Sequence, residues 1–231
     1  MEPAARMPRG KSAATSWQWA KTADTQRALL DAARAVFVEQ GFAEASIADV
    51  VERAGSSVGS LYHHFGGKSE LFIALWQEFR QAREQAASKA VAQARRAGVT
   101  EPGELFLAGA RAFLDAGWQQ RDLTLLFLSG DGPPGSEVMM RSRRVWSGQN
   151  DMLLRLSDTS FDRLYAAILT SVIGEGSREV AAAKTRRQAL RVMDAVIEYA
   201  RRIMADGPWK PPVRSATVPA SGRAQSPAAL A

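Results

Sequence analysis

Along most of this chain apolar residues recur every three or four positions, the period of a helix with one buried face. Leu29, Leu30, Ala33, Val36 and Phe37 share such a face and predict a helix over about 24–40, which Gly41 stops in a left-handed conformation. Ser46-Ile47-Ala48-Asp49 reads as a capping box opening a second, short helix with Ile47, Val50 and Val51 as its stripe and Ala54-Gly55 as its end. Ser57 caps a third helix of less than about two turns, Val58 to His64, broken by Gly66-Gly67. Lys68 opens a long helix reaching about Ala97, and Gly98 and Pro102 bracket the next break. Helices then follow at about 104–119, 123–128, 136–156, 161–181 and 185–205, with the breaker Gly130-Asp131-Gly132-Pro133-Pro134-Gly135 before the third of these. Gly207-Pro208 ends the last. The pattern predicts an all-α fold with no 20–50-residue repeat.

The two ends read differently. Residues 1–21, rich in Ala, Pro, Ser and basic side chains, read as a flexible basic arm, although Trp17 and Trp19 are unusual in one. Residues 208–231 hold too few large apolar groups to offset the entropy of ordering them and read as a disordered tail.

With 46% hydrophobic residues among 231, the chain can bury a core, and wholesale disorder is excluded. The absence of cysteine excludes a disulfide scaffold, a thiolate metal site and a cysteine nucleophile. Nothing approaches 18 consecutive apolar residues, and no apolar stretch follows the basic N-terminus, so the cytoplasm is the expected compartment. A net charge of +6 invites a nucleic-acid partner, but its distribution tempers that reading. Residues 1–22 carry Arg6, Arg9, Lys11 and Lys21 against Glu2, a net of +3, and residues 23–70 carry four basic against seven acidic groups, a net of −3. The excess therefore belongs to residues 71–231.

Two short helices joined by Ala54-Gly55-Ser56-Ser57 have helix-turn-helix geometry, with Gly55 supplying the positive φ of a tight turn. A second helix this short can lie in the major groove with its first turn against base edges. Ser56, Ser57 and Ser60 offer small hydroxyls, Gly59 lets the backbone approach DNA, and Tyr62, His63 and Lys68 can reach flanking phosphates.

Residues 32–72 resemble the DNA-binding domain of the TetR family of transcriptional regulators. The likeness is carried by Ala33, Phe37, Gly41-Phe42, Ser46-Ile47, Ala54-Gly55, Ser57, Gly59-Ser60-Leu61-Tyr62, His64-Phe65, Lys68 and Leu71. It implies a three-helix DNA-binding head over 22–67 and a larger helical ligand-binding and dimerisation domain over 68–207. For that second part the likeness rests on helix order alone. The resemblance carries DNA-facing roles onto Ser46, Ser57, Gly59, Ser60, Tyr62, His63 and Lys68. Val58 stands where the family often has lysine or another polar residue, which removes a donor but offers a thymine methyl contact. Because residues 1–70 are neutral only when the arm is counted with the head, Lys21, with Arg9 and Lys11, is expected to add affinity, through the minor groove as homeodomain arms do.

The function implied is an operator-binding regulator, usually a repressor, released by a small molecule. No cofactor, metal or catalytic residue is expected, and no membrane partner. The operator would be palindromic double-stranded DNA bound by a homodimer. Pocket candidates are Phe106, Phe113, Trp118, Phe127, Met139, Trp146 and Tyr165, suited to a largely apolar or aromatic effector, with Arg143 or Arg144 available for an acidic group. Leu164, Ile168, Leu169, Val172 and Ile173, with Leu190, Met193, Val196, Ile197 and Ala200, are expected to build an isologous four-helix bundle, with part of each stripe filling the subunit's own core.

Other signals are weaker. His63 and His64 are adjacent, so they point about 100° apart on a helix and cannot share a metal. The run 130–135 matches G-x-G-x-x-G, but Pro133 and Pro134 remove N–H donors where a pyrophosphate would sit, so a dinucleotide-dependent enzyme is disfavoured and a rigid inter-helix loop preferred. The rival from a different class is a helical ligand-binding protein that has lost its operator.

Overall fold

The computed structural model describes residues 12–134, 154, 156 and 159–208, with side chains from residue 22 onward. Among them are eight helices and no strand: α1 (Ser12–Glu44), α2 (Ile47–Arg53), α3 (Val58–Phe65), α4 (Lys68–Arg96), α5 (Pro102–Gln119), α6 (Arg121–Leu128), α7 (Ser160–Ala182) and α8 (Arg186–Ala205). The helix expected over 136–156 and most of the expected tail lie outside the described residues.

Local signals set most boundaries. Ser46 accepts from Asp49 N, Ser57 from Ser60 N and Thr185 from Gln188 N, each satisfying an otherwise unpaired donor of a first turn. Two expectations are corrected. The flexible arm over 1–21 gives way to helix from Ser12, because no glycine or proline follows Gly10 until Gly41 and alanines are frequent between them. Pro102 does not close a break but occupies the first turn of α5, where its fixed φ suits a helix start and its missing N–H costs nothing.

The elements pack around two apolar cores. The first joins Leu29, Val36 and Phe37 of α1, Val50 and Val51 of α2 and Leu61 of α3 to Leu71, Phe72 and Leu75 of α4 and Leu123 and Phe127 of α6. Its centre is a run of edge-on rings: Phe72 lies 5.4 Å from Phe37, 5.0 Å from Phe42 and 5.1 Å from Phe127. The boundary expected at 67/68 is therefore no physical seam, since the core runs through it. The second core joins α5, α7 and α8 through Phe106, Leu114, Leu169, Ile173, Met193 and Ile197.

This second core changes the expected bundle interface. Leu169, Ile173, Met193 and Ala200 are fully buried within the single chain, and Val196 and Ile197 are nearly so. Val172 and Leu190 are half-buried. The large apolar residues that α7 and α8 present outward are Phe161, Leu164, Ile168 and Tyr199, at 39%, 60%, 42% and 59% exposure.

Candidate nucleic-acid interface

α3 is held by one deeply buried residue, Leu61, and by the Ser57 cap. Between α2 and α3, Gly55 takes φ 58°, a left-handed value that a side chain disfavours. With Leu61 pointing inward, Val58, Gly59, Tyr62 and His63 project outward as one exposed face. Ser57 is also exposed, whereas Ser46, Ser56 and Ser60 are half-buried beside it. Val58, Gly59, Tyr62 and His63 thus share one exposed face of α3, with Ser57 at its start. His64 turns away, half-buried, its ring 5.1 Å from that of His63.

This face carries no lysine or arginine. The nearby cations are engaged: Arg53 pairs with Glu39 at 2.8 Å, and Arg27 with Asp31 at 3.0 Å and Glu78 at 3.3 Å. Lys21 is carried on α1 with its side chain outside the described residues, as are Arg9 and Lys11 altogether.

Lys68 needs a corrected role. Its ammonium donates to the carbonyls of Phe42 (2.8 Å), Ala43 (3.1 Å) and Ala45 (2.8 Å) and lies 4.7 Å from the Phe42 ring centroid. An ammonium has three donors, and here all three are spent on backbone, so none remains for a phosphate. The attraction is electrostatic: the C-terminal end of α1 concentrates carbonyls that favour a cation.

The same turn is gripped from the body. The Asp131 carboxylate accepts from Phe42 N at 2.6 Å and Ala43 N at 3.2 Å. Gly41 makes room for it: φ there is 81°, and a Cβ would sit 2.5 Å from Asp131 Oδ2. Nearby, Arg34 of α1 forks onto Asp122 of α6 with bonds of 2.9 and 2.8 Å. The G-x-G-x-x-G loop thus contributes an acid that ties body to head.

Of the expected pocket residues, Phe106, Phe113, Trp118 and Tyr165 gather at the second core, and Phe127 lies apart from them in the first. Phe127 sits in the first core, 5.2 Å from Phe79 and 5.9 Å from Trp76, because α6 packs on the head rather than around a cavity. Phe106 is buried in the second core, with Phe113 and Tyr165 packed against it, and burial raises the Tyr165 phenol. Trp118 lines an open cleft of about 440 Å³ with Gln119, Arg121, Asp122 and Arg186, its ring 4.8 Å beneath the Arg121 guanidinium. Met139, Trp146, Arg143 and Arg144 lie outside the described residues.

Two residues were missed from sequence. Asp131 had no local signal beyond its loop. Arg83 had one: it follows Leu71, Leu75 and Phe79 at intervals of four, a charge in a core register. Only 6% exposed, its guanidinium is pushed by burial down to about 9, still protonated at neutral pH.

Comparison with known proteins agrees with this geometry. Residues 29–75 match the family described as bacterial regulatory proteins, tetR family. The transcriptional repressor AcnR of Corynebacterium glutamicum is 39% identical over 58 residues, 25% of this chain and 31% of that protein. The transcriptional regulator AcrR of Shigella flexneri is 35% identical over 54 residues, 23% and 25% of the two chains. These matches span less than a third of the relatives' length. Solved structures cover far more: the fatty acid degradation regulator FadR of Bacillus halodurans superposes with TM-score 0.62 at 16% identity over 76% of this chain and 94% of that one. A TetR-like transcriptional regulator of a Rhodococcus species gives 0.58 at 24% identity over 78% and 96%. The first three helices thus match the bacterial tetR regulatory-protein family over residues 29–75, and the chain as a whole shares the fold of solved TetR-family regulators.

Proposed function

We propose that this chain is a sequence-specific DNA-binding regulator of transcription, acting in the cytoplasm as a homodimer on a palindromic operator and released when a small molecule binds the helical body. One observation carries the reading: α3 presents Val58, Gly59, Tyr62 and His63 as an exposed face anchored by buried Leu61. Two copies of such a helix, spaced about 34–36 Å apart, meet successive major grooves. The outward apolar residues of α7 and α8, Leu164, Ile168 and Tyr199, supply the surface on which two copies would pair. Repression is favoured over activation because AcnR is named a repressor.

Release follows from a ligand that favours a body arrangement in which the paired recognition helices no longer fit adjacent grooves. A thousandfold loss of DNA affinity needs about 4 kcal/mol of coupling. The clamp of Asp131 on the Phe42–Ala43 turn and the Arg34–Asp122 fork are the contacts through which such a change would reach the head.

The test is binding of the purified chain to DNA upstream of its own gene, against scrambled DNA, across a salt series. Preference for the upstream fragment by about a thousandfold supports the reading. Equal binding to both fragments, or none at low salt, overturns it in favour of a body that has lost its operator, a rival favoured by the lack of a cation on the α3 face.

A further inference from the structure

The operator-release reading leaves one buried charge unused. Arg83 occupies a core position of α4, and its guanidinium carbon lies 3.7 Å from the Phe113 ring centroid and 5.0 Å from that of Phe79. Nη2 donates to Ser177 Oγ of α7, and Nε reaches the Phe113 carbonyl at 3.5 Å, the long limit of a hydrogen bond. A guanidinium has five N–H donors. Nη1 has no acceptor among the described residues, and no carboxylate there pairs with Arg83.

Three acids of the neighbouring helices are committed elsewhere. Glu84 pairs with Arg80 at 2.6 Å, Asp122 with Arg34 at 2.8 Å, and Asp115 with Arg186. On α5, Gly117 leaves bare backbone against the charge, since a Cβ there would fall 3.1 Å from Nη2. Two aromatic rings, one hydroxyl and one long bond to a carbonyl offset only part of what a cation loses on leaving water. An anion supplied by a ligand would offset the remainder.

We propose that Arg83 receives the carboxylate of an amphiphilic effector whose apolar part lies along Phe79 and Phe113; the inference rests on the ligand-released regulator reading above. The planar fork of a guanidinium matches a carboxylate through two parallel bonds. One carboxylate also balances one guanidinium, whereas a phosphate dianion would leave net charge in an apolar site. Binding there bears on the head directly. Arg83 stands on the same helix as Leu71, Phe72 and Leu75, which belong to the core shared with α1 and α3.

The experiment uses the full chain with 2-naphthoate and octanoate as probes and their neutral amides as controls. Melting temperature and operator affinity are read for the wild type, Arg83→Met and Arg83→Lys. Expected is a wild type stabilised and at least tenfold weakened in operator binding by the acids, but not by the amides. Arg83→Met is expected to melt at or above the ligand-free wild type, still bind operator and ignore all four probes. Arg83→Lys keeps the charge without the fork and is expected to need about tenfold more acid. A wild type that treats acids and amides alike, or answers neither, overturns the proposal. So does Arg83→Met that fails to fold or melts well below the wild type, which marks the guanidinium as structural. If the acids raise the melting temperature but the ligand-free chain ignores the operator, the regulator reading fails and the Arg83 site stands.

Discussion

Asp131 holds Phe42: one carboxylate oxygen from the loop after α6 lies 2.6 Å from the backbone nitrogen that follows the break in α1. This bond and its partner at Ala43 join two stretches of chain nearly ninety residues apart. Removing the acid strands two donors, at about 1–3 kcal/mol for a buried one. Asp131→Ala is therefore expected to lower the melting temperature by several degrees. Gly41→Ala is expected to do the same through its positive φ and its clash with Asp131. The double variant should lose less than the sum, because the clash vanishes with the carboxylate. Thermal unfolding of all four chains measures this, and strict additivity would refute the coupling.

Lys68 offers a sharper distinction. If its ammonium serves the carbonyls of 42, 43 and 45, Lys68→Met will destabilise the fold by about 1–3 kcal/mol and leave the salt slope of operator binding unchanged. If it serves a phosphate, the slope will fall by about one. Affinity measured between 50 and 200 mM salt (about the usual range for such slopes) separates the two.

Val58 is the position at which the head's weak charge is most easily altered. At 47% exposure on the outward face, it can accept a longer side chain without repacking. Val58→Lys is expected to tighten binding to operator and scrambled DNA alike at low salt and to steepen the salt slope by about one. A variant that tightened binding to the operator alone would show base readout at this position instead.

For assembly, the burial pattern chooses the variants. Leu164→Glu and Ile168→Glu change exposed side chains and are expected to give folded chains that sediment as monomers and bind operator far more weakly. Ile197→Glu places a charge in the second core, at 7% exposure, and is expected to unfold the chain. Sedimentation of Leu164→Glu as a dimer would move the pairing surface elsewhere.

The helix ends were legible because their causes are local. Ser46, Ser57 and Gly41 act on backbone groups within three residues, so reading them needs no knowledge of the rest of the fold. What a stripe packs against is not local, and there the reading failed. Ile197 and Met193 show the same period whether they face a partner or their own core, and Phe127 looks as suited to a pocket as to an aromatic stack. Lys68 could be placed at a helix start, but not turned back onto the preceding turn, since that turn is brought close only by α1 folding over α4. Arg83 was readable from spacing alone, because a charge at a core register is visible wherever the register is.

The aromatic chain from Phe37 through Phe72 to Phe127 sets a limit on how this chain can be recombined with others. A graft that exchanged the head at 67/68 would separate Phe37 and Leu61 from the α4 and α6 side chains that cover them, and would leave Asp131 facing a foreign turn. Exchange is expected to succeed only when the transplanted piece includes the first turns of α4 and brings α6 with its loop. In this chain a new DNA specificity is reached more readily by changing the outward residues of α3 than by swapping the module that bears them.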